Sequence, residues 1–192
     1  MSRSRLFASA LTVLALANFA VATDNAKSDG DAKPSPQSVV YDAKSAFAFL
    51  KTLTGDWEFS GDVHDHGDGA HIISYRPTAG GSAVMETIFE GEPMEMVTVY
   101  HMDGDTLLLT HYCSLQNAPV MKFEKSDKPG EIKFLFHGGT NFDPKTDAHV
   151  HDGTIQIKDA NTLETAYVGY ADGKPHQQPH GLLKRKPAKA VE

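Results

Sequence analysis

The chain has a single cysteine among its 192 residues, so Cys113 has no partner for an internal disulfide. Basic residues are also in the minority, with 18 lysines and arginines against 25 aspartates and glutamates and a formal net charge of −7. An acidic surface argues against nucleic acid and anionic lipid as partners. The long apolar run at residues 6–20 is too short to span a bilayer comfortably, so no stable membrane anchor is expected.

Recognisable catalytic motifs are missing as well. The sequence contains no Gly-x-Ser-x-Gly, no His-Glu-x-x-His, no Cys-x-x-Cys and no glycine-rich phosphate loop. Cys113 and His111 share a face of a predicted strand, but neighbours at this spacing are too far apart for easy proton transfer. The sequence therefore assigns no catalytic residue, and whether the protein is an enzyme stays open.

The beginning of the chain has the pattern of an export signal. Arg3 and Arg5 precede the apolar run, and Ala20-Val21-Ala22 supplies the small residues of a cleavage site. We expect cleavage after Ala22, which makes residues 1–22 a signal peptide and the protein periplasmic or secreted. Residues 23–41 are rich in Asp, Lys, Ser, Pro and Ala, and are predicted to form a flexible leader.

Residues 42–187 have the pattern of a single all-β domain, followed by a tail at 188–192. Asp42 is a residue type that caps helices, and apolar residues at helical spacing predict a short helix over 43–53. Gly55-Asp56-Trp57 then opens the first of about ten predicted strands, which alternate apolar and polar residues between turns. The later strands are predicted at 70–76, 82–89, 94–102, 106–113, 119–124, 131–137, 150–158, 162–170 and 177–186. Consecutive strands without further helices predict an antiparallel up-and-down β-barrel, with residues 138–148 as its one longer loop.

The hairpin over residues 94–113 is the strongest local signal. Asp103-Gly104 between two apolar runs is typical of a two-residue hairpin turn, and it predicts that residue 102 opposes 105 and that 98 opposes 109. One face then gathers Met94, Met96, Thr98, Tyr100, Leu107, Leu109, His111 and Cys113. We predict that this face points into the barrel, since soft apolar side chains dominate it.

The chain resembles the calycin superfamily of lipocalin-like barrels, through a short helix, a Gly-x-Trp at the first strand and the series of antiparallel strands. It is more closely similar to a group of exported bacterial lipocalin-like proteins without an established function. The segments that carry this likeness are 80–84 with Glu86, 96–101, 103–105, 110–113, 139–141 and His149-x-His151. The resemblance implies the fold and export, and it implies no reaction.

The predicted function is the non-catalytic binding of a small, largely apolar molecule inside the barrel. Glu86, if it points inward, is expected to meet Tyr100 or His111. The residues predicted to contact the ligand are Glu86, Thr98, Tyr100, His111, Cys113 and Asn141. The same polar groups also fit a satisfied polar core, and a barrel filled by its own side chains is a third interpretation.

Two alternatives involve histidine. His149 and His151 are predicted on one strand face about 6.5 to 7 Å apart, which suits a shared metal if a third ligand joins them. Metal-assisted or acid-base catalysis would then use these two residues with His111 and Glu86.

Nitrobindin-like calycins, which hold haem through a histidine on the last strand, are similar to the region that follows Gly173-Lys174-Pro175. This resemblance implies His180 as the ligand of an alternative haem site. Pro179 interrupts the strand on which that histidine would lie. The cofactor and the oligomeric state are left unassigned.

Overall fold

The structure is a computed structural model that describes residues 34–61 and 71–187. The predicted signal peptide, most of the predicted leader and the tail lie outside the described residues. In the described part of the chain, no helix has the length and apolar character needed to cross a membrane.

The described residues form one α-helix and eleven β-strands. Helix α1 covers Ala43–Thr52. The strands are β1 (Gly55–Gly61), β2 (His71–Thr78), β3 (Ala83–Ile88), β4 (Met96–Asp103), β5 (Thr106–Tyr112), β6 (Ala118–Glu124), β7 (Glu131–Thr140), β8 (His149–Asp159), β9 (Thr162–Ala171), β10 (Lys174–Gln177) and β11 (His180–Arg185).

The strands close into an antiparallel barrel. Each of β1 to β9 pairs with its neighbour in sequence, and β11 inserts between β9 and β1 to complete the ring. The predicted last strand is broken into β10 and β11 at Gln178 and Pro179, because a proline has no N–H to donate to the ladder. Both pieces pair with β9, so the barrel has ten strand positions, as predicted.

Helix α1 forms where the sequence predicts it. Asp42 caps it by accepting a 2.7 Å hydrogen bond from the Ser45 backbone N–H. In turn, the Ser45 hydroxyl oxygen accepts a hydrogen bond from the Asp42 backbone N–H. Ala46, Phe47 and Leu50 are buried at the spacing of one helix face. The helix packs over the end of the barrel that contains the β4–β5 turn, where Lys44 contacts Asp105.

Trp57 and Arg185 seal the same end of the barrel. The Trp57 ring is fully buried, and its Nε1 donates a 2.8 Å hydrogen bond to the Leu53 carbonyl. The Arg185 guanidinium lies 4.3 Å from the centre of that ring and donates to the carbonyls of Thr52 and Thr54. The last strand is thereby held to the end of α1 and to the residues just after it.

The packed chain begins before residue 42. Pro36–Ser38 form a single 3₁₀ turn, and the buried Tyr41 donates a 2.9 Å hydrogen bond from its hydroxyl to the Pro36 carbonyl. The segment that the sequence assigns to the end of a flexible leader therefore packs against the domain.

The predicted register of the β4–β5 hairpin is wrong by two residues. Asp103 pairs with Thr106 and Thr98 pairs with His111, so Gly104 and Asp105 form the two-residue loop. Gly104 has φ +58°, as the first loop position of a type II′ turn requires, and Asp103 belongs to the strand.

A shift of two residues leaves every side chain on its predicted face, because strand side chains alternate with period two. The predicted interior face is therefore confirmed within β4 and β5, whereas Met94 lies before β4 and is 38% exposed. Thr98, Tyr100 and His111 are buried, whereas Tyr112 on the opposite face is 54% exposed.

Candidate ligand-binding cavity

A cavity of about 160 Å³ lies at the end of the barrel opposite α1. It is formed by the ends of β1, β2, β3, β4, β5, β8, β9 and β11. Its lining residues are Phe59, Ile73, Glu86, Ile88, Phe89, Met96, His111, Val150, Thr165, Tyr167, Pro179, His180 and Gly181. The volume is close to that of an engineered apolar cavity of about 150 Å³ that binds benzene, and below the range of about 300 to 1,000 Å³ of drug-sized sites. The size indicates a small occupant.

Aromatic side chains shape the cavity floor and wall. A Cβ atom on Gly181 would lie 1.8 Å from the Phe59 ring, so the ring occupies space that only glycine leaves free. Phe89 contacts Phe59 edge-on, with 6.1 Å between ring centres, and its φ of +59° is unusual for a bulky residue. Backbone strain of this kind is retained where the surrounding structure holds it, often at ligand sites.

Glu86 is the polar centre of the inner wall, and it is only 1% exposed. Its Oε1 accepts a 2.6 Å hydrogen bond from the Tyr75 hydroxyl, and its Oε2 accepts a 2.7 Å bond from the Tyr100 hydroxyl. Thr98 lies opposite Glu86 on the neighbouring strand β4. The predicted meeting of Glu86 with Tyr100 is thus present in the structure.

Thr98 lies between Glu86 and His111, because it is opposite Glu86 on β3 and opposite His111 on β5. The Thr98 Oγ1 lies 2.9 Å from the His111 Nδ1, and both side chains are buried. His111 does not bond Glu86 directly, because Thr98 stands between them on β4. Among the described residues, no atom forms a hydrogen bond with the His111 Nε2, although this atom is buried. His111 therefore presents one unpaired polar atom while it lines the cavity.

Burial dominates the electrostatics of this cluster. It raises the pKa of the Glu86 carboxyl above its ordinary value, and the hydrogen bonds from Tyr75, Tyr100 and Thr98 oppose that rise. Burial also lowers the pKa of the His111 imidazole to about 4, so the ring is neutral at pH 7. The phenol pKa values of Tyr75 and Tyr100 are raised well above 10, first by burial and then by the Glu86 charge.

Tyr167 lines the cavity and is not among the ligand contacts predicted from the sequence. Its ring packs over Gly153, where an added Cβ would lie 3.1 Å from the ring, and its pKa is raised by burial and then by the Glu86 charge. The signal for it is the alternation of β9, on which Leu163 and Thr165 are buried two residues apart.

Of the six residues predicted to contact the ligand, Glu86 and His111 line the cavity, and Thr98, Tyr100, Cys113 and Asn141 do not. Cys113 follows β5 and is half-buried, with its Sγ 4.0 Å from the Sδ of the lining residue Met96. Asn141 is exposed in the turn after β7, and its side-chain amide donates to the Gln116 carbonyl. The structure thus brings together Glu86, Thr98, Tyr100 and His111, and does not bring Asn141 to them.

His149 and His151 lie in an aromatic cluster at the start of β8. Their ring centres are 5.5 Å apart, and His151 is stacked on Tyr170 at 3.8 Å. The His149 Nδ1 lies 2.8 Å from the Asp147 carbonyl oxygen, while its buried Nε2 has no partner among the described residues. Val150, between the two histidines, lines the cavity, whereas neither histidine does.

A complete metal or haem site is not assembled by these histidines. In the part of the chain that the structure describes, no three His, Cys, Asp or Glu side chains are grouped to hold a metal ion. His180 is exposed and lines the cavity, as the haem hypothesis needs. The cavity of about 160 Å³ lies below even the drug-sized range, so the residues as placed do not fit a porphyrin.

Comparison of the chain with protein-family models gives no match, and comparison with curated proteins gives none. The site is therefore interpreted from its own chemistry.

Proposed function

We propose that this protein is an exported, lipocalin-like member of the calycin superfamily that binds a small, largely apolar molecule in its cavity. The observation that carries the proposal is a cavity of benzene size, with mostly apolar walls and one buried, unpaired imidazole nitrogen. Binding sites typically combine apolar walls with a few convergent polar groups. The export part of the proposal rests on the pattern of residues 1–22.

We further propose that binding is non-catalytic. The hydroxyl that contacts His111 belongs to Thr98, which is buried and does not line the cavity. A nucleophile must reach the substrate, and this hydroxyl does not face the space that a substrate would occupy. The catalytic alternative would need Glu86 and His111 to act together with His149 and His151. Glu86 and His111 line the cavity, and the other two residues do not.

The first test is native mass spectrometry, with an absorption spectrum, on protein purified gently from the cells that produce it. We expect a bound organic molecule of low mass and a chain that begins at Thr23. The matched variants are Met96→Trp, which fills the cavity, and Val97→Trp, which places the same ring on the other face of β4. The adduct should be absent from Met96→Trp and present on Val97→Trp, and an adduct on both variants would place the molecule elsewhere.

A metal site at His149 and His151 is a second candidate. A bond from the His149 Nδ1 to a backbone carbonyl is the arrangement that often orients a metal-binding imidazole, and it leaves the Nε2 free. Titration with Zn²⁺ tests it, with His149→Leu expected to abolish a stoichiometric binding event and the exposed His176→Leu expected to preserve it. Absence of stoichiometric binding by the wild type would reject this candidate.

A further inference from the structure

We infer that the outside of strands β3 to β6 is a dimer interface, against which a second copy of this chain packs. The inference goes beyond the proposed function, because this surface points away from the cavity. The term outer apolar face is used here for the outward apolar side chains in the middle of these strands, which are Met85, Val97, Val99, Leu108, Tyr112 and Val120.

Strand pairing brings the side chains of the outer apolar face together. They alternate with buried residues along each strand, so they point away from the core. In the neighbouring row, Val97 lies opposite Tyr112. One row across the sheet consists of residues that lie opposite one another in turn, Met85, Val99, Thr110 and Val120.

Other strands of the same barrel have a different outer surface. The outward side chains of β1 include Glu58 and Ser60, and those of β8 include Thr154, Gln156 and Lys158. An antiparallel sheet that meets water on one side is apolar inside and polar outside, whereas strands that are covered on both sides are apolar on both. Strands β4 and β5 follow the second pattern, which indicates that protein covers their outer side.

Exposed apolar residues extend this face at one end. Four large apolar residues are exposed in the described part of the chain, and Met94, Tyr112 and Leu115 are three of them. These three lie where β4 begins and β5 ends, and Tyr112 and Leu115 are each more than half exposed. A contiguous exposed apolar patch is typical of a protein interaction site.

The distribution of charge favours a second copy as the partner. The chain has 25 acidic against 18 basic residues, so two copies repel each other wherever acidic surfaces meet. Among the outward positions of β3 to β6, acidic side chains occur only at Asp103 and Glu124, the last residues of their strands. Two copies can therefore meet at the outer apolar face with little repulsion, whereas a basic partner would be attracted to the acidic surfaces elsewhere.

The contact expected is the face-to-face packing of two sheets. Such sheets lie about 10 Å apart, with the side chains of the two faces interdigitated. In a two-fold symmetric dimer both subunits use the same patch, so a single substitution enters the interface twice. A carboxylate introduced at Val99 would therefore be buried against apolar side chains and would face its own symmetry mate.

Sedimentation equilibrium tests the inference on protein purified from the cells that produce it. Concentrations from about 2 to about 200 µM cover the range of weak homodimers. The variants are Val99→Glu and Tyr112→Glu on the outer apolar face, and the matched control is Thr154→Glu on the polar outer side of β8. Tyr112 is already 54% exposed, so its substitution keeps the test valid if Val99→Glu fails to fold, which far-UV circular dichroism shows.

We expect the wild type to form dimers within this range, and both face variants to weaken self-association at least about tenfold. Thr154→Glu should self-associate as the wild type does. A monomeric wild type at every concentration would overturn the inference. Equal self-association of the wild type and Tyr112→Glu, or an equal weakening by Thr154→Glu, would also overturn it, and each of these results would leave the proposed function standing.

Discussion

The Tyr100 hydroxyl donates a 2.7 Å hydrogen bond to the Glu86 Oε2, and both side chains are about 1% exposed. This contact joins neighbouring strands β3 and β4 inside the barrel. It places a carboxyl group in the core, and the hydrogen bonds that the structure shows for this group come from the hydroxyls of Tyr75 and Tyr100. Removal of one of these donors should therefore lower the free energy of unfolding.

We predict that Tyr100→Phe lowers the free energy of unfolding by about 1 to 3 kcal/mol, because it leaves part of a buried carboxyl group unpaired. Urea denaturation measures the change. Tyr112→Phe is the control, since Tyr112 lies on the outer face of β5 and is 54% exposed, and its effect should stay within about 0.5 kcal/mol. Equal effects of the two substitutions would contradict the role given to the Glu86 contact.

Gly181 and Phe59 give a prediction about cavity shape. Gly181→Ala would place a Cβ 1.8 Å from the Phe59 ring, so the ring must move, and we expect a loss of about 1 to 3 kcal/mol in stability with weaker toluene binding. Gly169→Ala is the matched control on β9, where the added Cβ would meet Gln177 at an ordinary 3.6 Å. Thermal unfolding and toluene titration of both variants check this, and undiminished toluene binding by Gly181→Ala would count against the cavity as described.

The buried His111 predicts a specific dependence of stability on pH. Its pKa falls from 6.5 in the unfolded chain to about 4 in the folded protein, so the unfolded state binds more protons between these values. This contribution is fully present above pH 6.5 and is lost as the pH falls towards 4. Its size is about 3 kcal/mol over that window.

The control for this prediction is His111→Leu, which lacks the titrating group. Glu86 changes stability with pH in the opposite direction, because burial raises its pKa. It is present in both proteins, so it does not account for a difference between them. Denaturant titrations at pH 7 and pH 4.5 should therefore show a larger loss of stability for the wild type than for the variant. Parallel losses would mean that His111 titrates normally in the folded protein.

Arg185 provides a prediction about the closed end of the barrel. We expect Arg185→Lys to cost about 1 to 2 kcal/mol, because a lysine cannot both cover the Trp57 ring and reach the carbonyls of Thr52 and Thr54 in the forked geometry of a guanidinium. Lys184→Arg, at the exposed neighbouring position, should change stability by no more than about 0.5 kcal/mol. An unchanged melting temperature for Arg185→Lys would refute this role.

Much of the fold could be predicted from local patterns. The face of the β4–β5 hairpin was predictable because side-chain orientation depends on period two alone, and an error of two residues in the turn preserved it. The error itself arose because Asp-Gly is compatible with more than one loop position, and the strand pairing of Asp103 decides between them.

The candidate site was only partly predictable, because it depends on contacts between strands distant in sequence. The inward positions of Glu86, Tyr100 and His111 follow from alternation on neighbouring strands. The contacts of Glu86 with Tyr75 and of His111 with Thr98 depend on side-chain rotamers. The approach of Phe59 to Gly181 requires the pairing of β1 with β11, across more than a hundred residues. No local pattern encodes that pairing, which is why Phe59 and Gly181 are not predicted as lining residues.

The most direct test of the proposed function is a crystal structure of the wild-type protein grown with toluene. We predict one toluene molecule in the cavity, in contact with Ile88, Met96 and Tyr167. Toluene bound only outside the barrel, or a cavity that holds water alone at saturating toluene, would contradict the proposal.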